Sequence, residues 1–141
     1  MSFEKLSETS ISNIHDRSCV IIVNVNKKES NMIKNIGRLV GIRDCIFVDS
    51  TNGKTTMKDI LNNNIDGTNE EVWANKALIF NNIPQLKING FLDSLRKMKI
   101  ARPLSAVITE TTIDWTLNKL VYNLIQERNA IKSGQVVDHL K

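Results

Sequence analysis

No stretch of this sequence approaches the roughly 20 consecutive apolar residues that crossing a bilayer requires. The opening MSFEKLSETS carries acids and lacks the apolar core of a secretory signal, so a cytoplasmic location with no membrane partner is expected. Cysteine is scarce. Cys19 and Cys45 each open an apolar run and neither belongs to a Cys-x-x-Cys pair, which excludes a disulfide framework and leaves two small core residues in a reducing compartment. The two histidines, His15 and His139, fall away from every expected strand end, and no His/Cys spacing suits zinc. Neither a catalytic group nor a metal or other cofactor is expected. Aromatics make up only 5% of the chain and the net charge is a mild +4, with Lys and Arg spread along its length rather than gathered in a basic block.

What is present is an ordinary globular balance, 41% hydrophobic and 24% charged over 141 residues, enough for one domain with a real core. The chain is organised around Pro103 to Glu127, where the β-prone run Ser105–Ile108 meets a Thr-rich turn and then a helix. Leu117, Leu120, Val121, Leu124 and Ile125 fall on one stripe of that helix, with Asp114 as its expected cap. Continuous apolar runs at Cys19–Val25 and Cys45–Val48 read as buried strands, and Lys76–Phe80 as a third strand. A stripe from Met32 to Val40, ended near Gly41, reads as the first helix, after a polar turn at Lys27–Ser30. Thr56 to Asp59 fits a capping pattern for a short second helix. Asn62–Asn69 is the expected linker, Glu70–Asn75 a helical turn around Trp73, and Asn89 the cap of a third helix carrying Phe91, Leu92, Leu95 and Met98.

The hydrophobic pattern repeats. Phe47–Leu61 aligns with Val107–Val121 at a shift of 60, the stripe at Met32 with that at Phe91 at a shift of 59, and Val20–Asn24 with Ala77–Asn81 at a shift of 57. The expected fold is therefore α/β: a small four-stranded, mainly parallel sheet built from two pseudo-repeated β-α-β-α halves, 19–65 and 76–128, with strand order 2-1-3-4. A pseudo-twofold along the strands would place the first and third helices on opposite faces. Residues 1–18 are expected as a loose arm and 129–141 as a tail.

Ala106-Val107-Ile108-Thr109-Glu110-Thr111, followed by Asp114-Trp115-Thr116-Leu117 and Leu120, resembles a small bacterial family catalogued as a domain of unknown function. The resemblance covers roughly Ala77 to Glu127 and implies no activity, cofactor or site.

In an open α/β sheet ligands bind beyond the C-terminal strand ends, where strand order reverses. That places Asn24, Asn26, Asn81 and Asn82 around an expected ligand crevice, flanked by Asp49 and Glu110. Gly53-Lys54-Thr55 lacks the earlier glycine of a phosphate loop, since Val48 stands in its place. Arg96, Lys97, Lys99 and Arg102 form the one dense basic cluster, suited to a helix C-terminus or to phosphates. Trp115 suits either a staple of the last helix or an anchor for a partner. The leading expectation is a non-catalytic binding or regulatory module that meets a protein partner or self-associates. Two alternatives follow: a nucleic-acid accessory protein using the basic cluster, and a small-ligand enzyme or nucleotide binder at the strand tips.

Overall fold

A computed structural model describes residues 15–132; the greater parts of the expected arm and tail, 1–14 and 133–141 with His139, lie outside the described residues. Strand β1 (Cys19–Val23) is buried at every residue, as its unbroken apolar run requires. Helix α1 (Lys27–Val40) starts earlier than its apolar stripe. The Asn26 side chain accepts from the Glu29 N–H and the Glu29 carboxylate accepts from the Asn26 N–H, a capping box that draws the polar Lys27–Ser30 segment into the first turn. The helix ends on Gly41, whose φ of 87° is open to glycine at little cost. Strand β2 (Cys45–Val48) leads through a 3-10 turn (Ser50–Asn52) into α2 (Met57–Leu61), capped by Thr56 as expected.

Residues 64–76 contain no helix or strand, so the expected helical turn around Trp73 does not form. Trp73 instead enters the core, 8% exposed, and its indole N–H donates to Asn118 Oδ1 at 2.7 Å. Asn118 and Asn69 exchange side-chain amide bonds, both at 3.1 Å. A Cβ at Gly53 would collide with both amides, which gives Gly53-Lys54-Thr55 a packing explanation. Strand β3 (Ala77–Asn81) is buried throughout, and α3 (Gln85–Lys97) follows. Asn89 does not cap α3: the helix already begins at Gln85, directly after Pro84 in the N-cap position, so Asn89 lies inside it. Strand β4 (Leu104–Val107) precedes a 3-10 turn (Thr112–Asp114) and α4 (Leu117–Lys132). Thr116 rather than Asp114 caps α4, accepting from the Lys119 N–H, because the 3-10 turn ends two residues before it.

The four strands have the expected order, β2-β1-β3-β4. The β1–β2 and β3–β4 pairs are parallel, but β1 and β3 are antiparallel, with Cys19 opposite Asn81 and Val23 opposite Ala77. A right-handed crossover fixes which face its helix covers, and turning the second unit end over end within the sheet preserves that face. The local twofold is therefore perpendicular to the sheet, and α1 and α3 pack on the same face, not on opposite ones. Helices α2 and α4 share the other face. The cause is short reach. A five-residue α2 advances the chain only about 8 Å. The segment after it is then tied back to the tip of β2 by the Asn69 N–H on the Thr51 carbonyl, so β3 starts where β2 ended.

Residues 58 apart, such as Val20 with Leu78 and Ile22 with Phe80, occupy the same core, which makes Asn82 rather than Asn81 the counterpart of Asn24. On the other face Thr56 and Thr116 form an antiparallel bridge. Met57 N–H donates to Trp115 and Leu117 N–H to Thr55, both at 2.9 Å. Phe80 and Phe91 are buried edge to face, whereas Phe47, expected in the core, is 37% exposed on the edge strand with the Lys34 ammonium over its ring.

The Lys76 ammonium and the Asn26 N–H hold the Glu29 carboxyl below its usual pKa. Its contribution is present above the unfolded value of about 4.3 and is lost as pH falls through the folded value. Glu29→Gln should cost about 1 kcal/mol at neutral pH. Urea unfolding of both proteins should show that gap closing at acid pH.

Candidate nucleic-acid interface

The antiparallel β1–β3 pair divides the expected ligand crevice. Asn24, Asn26 and Asp49 lie at one end of the sheet, and Asn81, Asn82 and Glu110 at the other. Asn24, at φ 60°, donates to the carbonyls of Trp73 (3.0 Å) and Asn75 (3.1 Å) and accepts from the Ser50 N–H. Asn82, at φ 57°, donates to the Asp16 carbonyl, and Asn81 to that of Arg17 at 2.7 Å. Each half thus uses strand-end asparagines to hold the segment that enters the first strand of the other half. Asn26 caps α1, and the Asp49 carboxylate accepts from the Thr51 N–H and hydroxyl. Glu110 is exposed.

Among the described residues, no three His, Cys, Asp or Glu come together as a group that could hold a metal ion. Burial pushes the Cys19 thiol up to about 12. Burial, then the nearby Asp44 carboxylate, raises that of Cys45. Both therefore stay protonated at neutral pH, the unreactive form. His15 meets Asn62, and Arg17 grips the Asp44 carboxylate with Nε (2.7 Å) and Nη2 (3.0 Å), so this entry segment is tied to the domain.

The same-face packing of α1 and α3 has an electrostatic result. Lys27, Lys28, Lys34, Arg38 and Arg43 come from α1 and the residues just after it. Lys87, Arg96, Lys97, Lys99 and Arg102 come from α3 and the residues just after it. All ten are exposed. The two acids in these segments (25–43 and 83–103) are half-buried and paired, Glu29 with Lys76 and Asp93 with Arg96 and Lys97. The opposite layer, 49–75 with 108–131, carries eight acids against four Lys or Arg. The sheet separates charge.

Two hollows open in this basic layer. One of about 330 Å³ is lined by Lys34, Arg38, Arg43 and Cys45. The other, about 570 Å³, sets Arg96, Lys99 and Arg102 around an apolar floor that includes Leu92, Ile100 and Pro103. Sequence inspection singled out the second set and missed Lys34, Arg38 and Arg43, which look dispersed along the chain. Their signal was the spacing of Lys27, Lys34 and Arg38 along the polar side of α1, uninformative until α3 stands beside it.

Residues 76–131, from just before β3 into α4, match the model of a family described as a domain of unknown function (DUF3783). No curated protein and no solved structure matches the chain.

Asn24→Ala removes three side-chain bonds at a left-handed residue and should cost about 2 kcal/mol, with Asn24→Gly milder because glycine tolerates that φ. Glu110→Ala should stay within about 0.5 kcal/mol of the parent. Parallel urea titrations measure all three.

Proposed function

We propose that the chain is a non-catalytic binding module that engages nucleic acid through the α1/α3 face. One observation carries this reading: ten exposed cations share a face whose two acids are already paired. Phosphate backbones bind such surfaces by displacing condensed counterions, with little need for a shaped pocket. The strand-tip alternative has less support, because the asparagine side chains it would use are spent on the fold. A cytoplasmic location and an origin of the two halves as diverged copies of one β-α-β-α unit belong to the same proposal.

Self-association is the second reading, favoured by Leu39 and Leu86, which are 84% and 83% exposed on this same layer. They stand near the junction where the end of α1 meets the start of α3, marked by the Lys87 ammonium on the Gly41 carbonyl. Sedimentation at increasing concentration tests it: a monomer throughout sets it aside.

For the leading reading, fluorescence anisotropy with labelled oligonucleotides should show binding that weakens steeply with salt. The double charge reversal Arg96→Glu with Lys97→Glu should weaken it by at least about tenfold while the circular dichroism spectrum is unchanged. Absence of binding at low ionic strength would contradict the reading.

A further inference from the structure

We infer that the α1/α3 face takes a nucleic-acid duplex in preference to a single strand, held at both ends of the helix pair by two basic clusters. This rests on the nucleic-acid reading above and narrows it. The first cluster is Lys34, Arg38 and Arg43; the second is Arg96, Lys99 and Arg102. Arg38 and Arg96 are 58 residues apart, the spacing that relates β1 to β3 across the local twofold. Helices α1 and α3 run antiparallel: Val40 and Gly41 at the end of α1 meet Gly90 and Lys87 early in α3, while Glu29 and Ile33 of α1 share a small cavity with Leu95 at the far end of α3. The clusters, each at the C-terminal end of its own helix, therefore lie at opposite ends of the layer. For helices of 14 and 13 residues that separation is on the order of 20 Å.

A duplex presents phosphates on a stiff rod with a persistence length of about 500 Å, so it can meet two clusters at that separation without first being ordered. Some 20 Å of duplex axis carries about 12 charges. A single strand must be ordered across the gap, and proteins that favour single strands offset this with aromatic stacking. This face offers no such platform. Phe91 is the one aromatic in residues 25–43 and 83–103, and it is fully buried. Phe47, at the sheet edge, lies under the Lys34 ammonium.

The test uses the full chain with duplex DNA of about 20 base pairs, duplex RNA of that length, and each single strand, across a salt series. Either duplex should bind about tenfold or more tightly than its single strands, with a log–log salt slope near −5 if six cations each displace one counterion. Arg38→Glu with Arg43→Glu, and Arg96→Glu with Arg102→Glu, should each weaken duplex binding about tenfold or more, with unfolding midpoints confirming that both variants fold. Single strands binding as tightly as duplexes would overturn this inference and leave the nucleic-acid reading standing. So would a duplex insensitive to the Arg38 and Arg43 pair. Failure of every nucleic acid to bind at low salt, including the case where anionic lipid vesicles bind instead, would overturn both.

Discussion

The antiparallel pairing of β1 with β3 is the constraint on which the rest of the molecule depends. Each half is a right-handed unit whose first helix must lie over a particular face. Joining the halves head to tail would have put α1 and α3 on opposite sides and gathered all four strand tips at one edge. Joining them antiparallel does the reverse: it separates the tips and unites two helices that, with the residues just after each, carry ten of the chain's 19 Lys and Arg residues. One pairing thus separates the strand-tip residues and gathers the basic ones on one face.

Amides enforce that pairing. Asn24 clamps the entry to β3, and Asn81 and Asn82 clamp the entry to β1, so both central strands are delivered from the end that an antiparallel ladder needs. The exchange between Asn69 and Asn118, with the Trp73 indole donating into it, fixes the connecting segment against α4. Polar groups taken from water must be satisfied or they cost free energy comparable to a lost hydrogen bond, and here each buried amide has found a partner. The abundance of asparagine at strand ends is accounted for by these bonds without any ligand.

Much of the fold is legible in the sequence. Apolar or β-prone runs mark all four strands, apolar stripes mark α1, α3 and α4, and the repeat in the pattern leads to the order β2-β1-β3-β4. Orientation was not legible. It depends on where residues 64–76 travel, and that path is set by single side chains such as Asn24 and Asn69, which have no periodicity to read. The site divides along the same line. Arg96, Lys97, Lys99 and Arg102 are close in sequence and were found. Lys34, Arg38 and Arg43 join them only through tertiary packing. Helix starts were misplaced for a local reason: apolar stripes locate the buried face, while the ends belong to caps such as Asn26, Pro84 and Thr116.

The most direct measurement of the central claim is a backbone amide NMR titration of the protein with a short duplex, mapped onto the two layers of the sheet. The account requires perturbations to gather on α1 and α3, strongest around Arg38–Arg43 and Arg96–Arg102, and to fade as salt is raised. Perturbations centred on residues 49–75 and α4, or on the strand tips at Asp49 and Glu110, would contradict it.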